Sequence, residues 1–275
     1  MKTHFIAAGL AALGLMASGT STLAQQKAPA KAPAYVAPAW SWSGFYVGVN
    51  AGWGWGKPTG DLGAFSPGVA AAVADGRIPG GLDVKPDGAI GGGQIGGNWQ
   101  AGPVVFGFEA DIQASGIREE RNFTIAGPGG GPLPAQITAE ERICWFGTAR
   151  ARLGVTPVER ALLYVTGGFA YGSVDSNVRI AFPFPGGGFD GDFSGGRSGT
   201  KIGWTAGGGF EYAWDNNWSV KAEYLYIDLG SDTVRLIDPN IPDDFVDYRF
   251  RHRDHIVRAG INYKFGAPAA VIAKY

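Results

Sequence analysis

The sequence predicts an all-β protein, an eight-stranded antiparallel up-and-down transmembrane β-barrel with long outer loops and short periplasmic turns. Three observations predict it. Apolar and polar residues alternate over many segments, the period of a strand with different surroundings on its two faces. The connections between those segments are alternately long and short. An N-terminal export signal precedes them all.

The signal comes first. Lys2 supplies the positive charge, residues 6–17 form an apolar run too short to span a bilayer, and Thr22-Leu23-Ala24 offers small residues at a cleavage site. Residues 1–24 are therefore expected to be removed, leaving an Ala/Pro-rich periplasmic leader over 25–41. The barrel is expected over 42–266 and a C-terminal extension over 267–275. No later uncharged apolar run approaches about 18 residues, so a membrane protein of this composition spans with strands.

The first strand is expected over 45–55, with Phe45, Val47, Val49, Trp53 and Trp55 on one face and Tyr46, Asn50 and three glycines on the other. A long Gly/Pro/Asp-containing stretch over 56–88 leads to the second strand, 89–99. A tight turn at 100–103 precedes the third, 104–116, where Phe106, Phe108 and Ile112 alternate with Glu109, Asp111 and Gln113. A second long loop, 117–139, contains Gly130. The fourth strand, 141–155, sets Trp145, Ala149 and Leu153 against Thr148, Arg150 and Arg152. After a short turn the fifth covers 161–174, and a long loop runs to 199. The sixth covers 200–213, and Asp215-Asn216-Asn217 makes a short Asx turn. The seventh, 218–229, carries Lys221 and Glu223 between Val220, Ala222 and Tyr224. A last long loop precedes the eighth, 254–265, where Arg258 and Asn262 alternate with Val257 and Ile261. Both termini then fall on the periplasmic side. Gly accounts for 46 of the 275 residues, more than twice the ~7% average, and lets strands bend and bulky neighbours pack.

Alternation alone does not say which face is inside, and a soluble lipocalin-like barrel would turn the apolar face inward. The export signal, the Trp and Tyr near strand ends and the balanced charges of the polar face favour the inverted arrangement. Val47, Phe106, Phe108, Trp204, Tyr224 and Val257 are expected to face lipid. Glu109, Asp111, Arg150, Arg152, Glu211, Lys221, Glu223 and Arg258 are expected to form a charged layer inside the barrel. Register arithmetic supports this. Pairing Glu109 with Arg152 and Asp111 with Arg150 gives one constant sum and centres that hairpin near Gly130. Pairing Glu211 with Lys221 centres a turn on Asn216, and pairing Glu223 with Arg258 centres the last loop near Asn240.

Other motifs carry less. Gly91, Gly93 and Gly96 match a dinucleotide-binding spacing, but Asn98-Trp99-Gln100 leads into another strand where that site needs a helix. His252 and His255 fall on opposite faces of a strand and read as ordinary surface histidines. The lone Cys144 shares the interior parity and reads as a small buried thiol. No catalytic constellation, cofactor site or metal site is expected. A net charge of −1 argues against a nucleic-acid partner.

The segments Trp42-Ser-Gly-Phe-Tyr-Val-Gly48, Gly97-Asn98-Trp99-Gln100, Trp145-Phe-Gly-Thr-Ala-Arg-Ala-Arg-Leu-Gly154, Tyr164-Val-Thr-Gly-Gly-Phe-Ala-Tyr-Gly172, Lys221-Ala-Glu-Tyr-Leu-Tyr226 and Arg258-Ala-Gly-Ile-Asn-Tyr-Lys-Phe265 together resemble the small outer-membrane β-barrel, or porin-like, family of outer membrane immunogenic proteins. The resemblance covers nearly all the chain after the leader. It implies a bacterial outer-membrane barrel with a structural role in the envelope and antigenic loops, and no catalytic residues. A narrow passive pore for small solutes is the alternative. Expected partners are outer-membrane lipid and lipopolysaccharide, the barrel-assembly machinery, and a host or surface ligand at the loops. Either Phe265 or Tyr275 is expected to end the assembly signal.

Overall fold

The computed structural model describes residues 40–57, 59–126, 134–183 and 189–266. The signal peptide, most of the leader, Gly130 and Tyr275 lie outside the described residues. Within them, eight strands close into a ring: β1 (Gly44–Gly56), β4 (Asp87–Ala101), β5 (Val104–Ser115), β7 (Ala135–Val158), β8 (Ala161–Pro183), β9 (Phe189–Ala213), β10 (Trp218–Ile237) and β11 (Phe245–Lys264). Each pairs antiparallel with the next, and β1 pairs with β11 from Tyr46–Lys264 to Gly56–Asp254, which closes the barrel. No sheet edge is left at that seam, as a membrane-spanning sheet requires.

The short connections match expectation. Gly102, with a φ of +60°, turns β4 into β5. At 215–217, the Asp215 carboxylate accepts the backbone N–H groups of Asn217 (2.7 Å) and Trp218 (2.8 Å), the local bond that makes Asx residues turn formers.

The long connections differ from expectation. Three short strands, β2 (Thr59–Phe65), β3 (Gly81–Val84) and β6 (Arg118–Ile125), and a short helix α1 (Ala70–Ala74) occupy stretches read as loop. The strands β7 to β11 also continue well past their expected outer ends, and most of 175–199 is paired strand. Two features hid this. A bulge at Cys144 and another at 229–230 shift the register, which breaks a strict two-residue period. Beyond the bulges the outward face turns from apolar to polar. On β7 it passes from Trp145 to Arg142, Glu140 and Thr138, and on β11 from Val257 through His255 to Arg253, Arg251 and Arg249.

That change marks the edge of the lipid band. Below it Val47, Phe106, Phe108, Trp204, Tyr224 and Val257 are all exposed on the outer wall, as predicted. Trp99, Tyr212, Trp218 and Phe265 ring its periplasmic side, and Trp55, Tyr226 and His255 lie at its outer side. On β11 the band runs from Lys264, next to Phe265, to His255, about the ten residues a tilted strand needs to cross.

The inward face of β11 gives the interior tier by tier. Lys264 caps the periplasmic end, where its ammonium lies 3.8 Å from the Trp40 ring centroid. Trp40 and Trp42 pack there with Val105, Leu162 and Tyr164. Asn262 and Arg258 follow in a polar tier, then Ile256 in an apolar one with Phe146, Leu225 and Ile227. Asp254 and His252 form a small second polar step. Phe250, Tyr248 and Val246 end in an outer apolar cluster. There β2, β3 and the segment between them fold inward, so that Val69, Ile78, Leu82 and Val84 pack against residues of the extended β7, β8 and β10.

Candidate functional site: the charged barrel interior

Alternation along five strands delivers the polar tier. Glu109 and Asp111 come from β5, Arg150 and Arg152 from β7, Glu211 from β9, Lys221 and Glu223 from β10, and Arg258 from β11. All eight are buried, and ion pairs join them into one network.

Glu109 is the hub. Its carboxylate lies 2.6 Å from Arg150, 2.7 Å from Lys221, 3.4 Å from Arg152 and 3.5 Å from Arg258. Asp111 meets Arg150 at 2.9 Å and Arg258 at 3.0 Å. Glu223 meets Arg258 at 2.6 Å and Arg150 at 2.9 Å. Glu211 is bound by Arg152 at 2.8 Å. Four carboxylates thus oppose four cations. This balance matters because an unpaired ion in so dry a place costs several kcal/mol.

Neutral groups complete the network. The Tyr46 hydroxyl donates to Glu109 (2.7 Å) and accepts from Arg152 Nη1 (2.6 Å). Tyr164 donates to Glu223, Thr148 to Asp111, and Ser219 and Asn262 to Glu211. The Arg152 guanidinium also lies over the Tyr164 ring, 3.9 Å from its centroid, a favourable cation–π placement. Their inward parity was visible in the sequence, but which hydroxyl meets which carboxylate depends on the barrel's closure.

The register of one hairpin is corrected. Glu109 stands opposite Arg150, not Arg152, and Asp111 opposite Thr148, not Arg150. Arg150 and Arg152 are same-face neighbours, and both reach Glu109 across a narrow lumen. Charge matching therefore cannot resolve a slip of two residues. The pairings Glu211–Lys221 and Glu223–Arg258 stand in register as read, although Lys221 turns its ammonium to Glu109 rather than to Glu211.

Two further readings are overturned. His252 is buried, not a surface histidine: its Nδ1 lies 2.8 Å from Glu141 and its Nε2 3.4 Å from Asp232. The other oxygen of Glu141 accepts from Thr59 of β2 at 2.6 Å. His255 points outward, as the parity argument required, and stacks on Trp55. Cys144 is half-buried at the β7 bulge, with its thiol 3.1 Å from Asp175 on the outer wall. The bulge shifts its parity away from that of Arg150.

The interior has little free space. A recess among Trp40, Trp42, Tyr46, Asn98, Glu211 and Lys264 measures about 10 Å³, at the limit of what one water needs. Among the described residues, no group of His, Cys, Asp and Glu side chains is arranged to hold a metal ion.

The chain has relatives among known outer-membrane proteins. It is 37% identical over 272 residues to the 31 kDa outer-membrane immunogenic protein of Brucella melitensis, covering 96% of this chain and all of the relative. It is 29% identical to a 22 kDa outer membrane protein of Rhizobium leguminosarum, over 87% of this chain and 83% of that one. Among solved structures it is similar to the outer membrane protein OprG of Pseudomonas aeruginosa, with a TM-score of 0.45 and 14% identity over 83% of this chain and 99% of OprG. The model of the outer membrane protein beta-barrel domain matches residues 9–265, and the chain belongs to that family as a protein of the bacterial outer membrane.

Proposed function

We propose that this protein is a closed outer-membrane barrel with a structural role in the envelope, which displays its outer strands and hairpins to the surroundings and catalyses no reaction. One observation supports this above the others. The lumen is filled from Trp40 at one end to Tyr248 at the other, and the eight ionic side chains of its middle tier bind one another. An eight-stranded barrel has about enough interior for side chains alone. The pore alternative would need a water path through the tiers of Phe146, Leu225 and Phe250, all buried. The acid–histidine cluster at His252 is similarly shut off, so a substrate has no route to it.

Display is tested with peptide tags on intact cells. A tag inserted at Asn240, in the hairpin between β10 and β11, should bind antibody without permeabilisation. A tag at Gly102, in the β4–β5 turn, should bind only after the outer membrane is opened. The reverse pattern would overturn the orientation.

A further inference from the structure

We propose that the outer wall carries a docking site for a phosphorylated lipid of the outer leaflet, with Arg118 and Arg142 holding a phosphate and an apolar groove below them holding an acyl chain. The inference rests on the orientation proposed above. A reversed topology would show in the tag experiment, independently of the binding described here.

Two irregularities at one level of the wall create the upper half of the site. The chain breaks between β5 and β6, where Ile117 turns fully inward, and β7 bulges at Cys144 on the neighbouring strand. Between them opens a recess of about 420 Å³, lined by Ser115, Gly116, Cys144, Arg118 and Arg142. It lies on the outward face, where the apolar wall gives way to polar residues.

The two arginines are directly opposed in register, and both side chains are exposed. Like charges facing each other across a strand pair are unfavourable unless something satisfies both. Arg142 has an ion pair with Asp175 at 3.0 Å. Arg118 has none among the described residues, and Asp87, its register partner on β4, forms no ion pair with it. Glu120 and Glu140 are opposed one step further out, so the arginine pair is the charged step of this hairpin nearest the bilayer. A tetrahedral phosphate supplies acceptors to both guanidinium groups, a charge-assisted contact for which Arg is well suited.

The lower half shares β5 with the recess and extends from it to β1, β4 and β8. A groove of about 530 Å³ runs between Val47, Gly93, Ile95, Ala110, Ile112 and Tyr171 on the lipid-facing wall. Its floor is low because Gly93 and Ala110 are small, and its sides are bulky. Ile112 of the groove and Ser115 of the recess are three residues apart on β5, or about 10 Å. An anionic head and an apolar tail at that separation describe an amphiphile already standing in the leaflet.

The test uses the full barrel in detergent micelles, with native mass spectrometry as the readout. The probes are bisphosphorylated lipid A, its dephosphorylated form and inorganic phosphate. Wild-type protein should hold one bisphosphorylated lipid A in preference to the dephosphorylated form. Arg118→Gln with Arg142→Gln should bind it about 30-fold more weakly, and Gly93→Leu, which fills the groove, should also weaken it. Arg249→Gln, elsewhere on the outer wall, should bind as wild type does. Heat-dependent gel mobility checks that each variant is closed. If the double variant fails to close, Arg118→Gln alone gives the answer, because its guanidinium makes no ion pair among the described residues. Unchanged binding by the closed arginine variant overturns the proposal. Equal binding of the dephosphorylated lipid, displacement by inorganic phosphate, or equal loss in Arg249→Gln also overturns it.

Discussion

Arg150 shows how a single interior residue is held. It faces three carboxylates, those of Glu109, Asp111 and Glu223, and its Nε donates to Thr148 at 2.8 Å. Arg150→Ala should destabilise the barrel by about 3–5 kcal/mol by stranding that negative charge. Reversible unfolding from detergent by denaturant measures the loss. The corrected register also ranks two couplings. A double-mutant cycle for Glu109 with Arg150, at 2.6 Å, should give a larger interaction term than one for Glu109 with Arg152, at 3.4 Å. The opposite order would favour the register read from charge alone. Gly96 supports the same site differently. A Cβ there would clash with both the Cζ and the hydroxyl oxygen of Tyr46, so Gly96→Ala should push the Tyr46 hydroxyl off Glu109 and cost stability. Gly91, in the same strand with its nearest neighbour 3.7 Å away, should tolerate alanine.

At the scale of elements, the spanning halves of the strands were legible and their outer halves were not. Within lipid, every outward position is apolar or small, and the inward ones carry the charged and polar tier with Gly and a few buried apolar residues such as Leu225 and Ile256, so the two-residue period is plain. Outside it the wall has polar residues facing water and Ile137, Ile180 and Leu236 facing in, but the bulges at Cys144 and 229–230 reset the phase. The burial of His252 is illegible in the sequence for a different reason. Its burial depends on β2 folding across the mouth, and nothing in 56–88 announces that. This mouth carries a pH dependence. His252 and Asp254 lie outside the lipid band, which ends on β11 at His255. Burial works against the charged form of His252, but Glu141, Asp232 and Asp254 outweigh it and raise its pKa above 6.5. Burial, and then the charge of Glu141, push Asp254 from 3.8 up to about 7. Both groups hold their protons more tightly in the fold than in the unfolded chain. Their stabilisation is therefore complete at low pH. It declines from about pH 4 to pH 7, where the unfolded chain's carboxyl is ionised and that of Asp254 in the fold is still protonated, and further above pH 6.5 while folded His252 keeps the proton that the unfolded chain loses. Hydrogen-exchange protection of β2 and β3, corrected for intrinsic rates, should fall as pH rises from about 4 to 7. Asp254→Asn should flatten that response, and an unchanged slope would separate the cluster from the packing of the mouth.

The whole molecule is a barrel turned inside out relative to a soluble one, and this inversion was legible from the charge balance of its polar face. It predicts how assembly fails. Phe106 is exposed on the spanning wall, and Phe106→Arg should reduce the heat-modifiable, folded fraction recovered from membranes, since Arg near the midplane costs about 2–4 kcal/mol. The sequence offers two aromatics as the end of the assembly signal. Phe265 is on the outer wall with its backbone N–H bonded to Phe45 (2.8 Å), and Tyr275 lies outside the described residues. The central claim is that the interior is closed by its own side chains. Single-channel recording of the purified barrel in planar bilayers tests it most directly. The filled lumen predicts a flat trace with no resolved steps at any holding potential the bilayer survives. Steady, reproducible conductance steps from the closed, heat-modifiable wild type would contradict it.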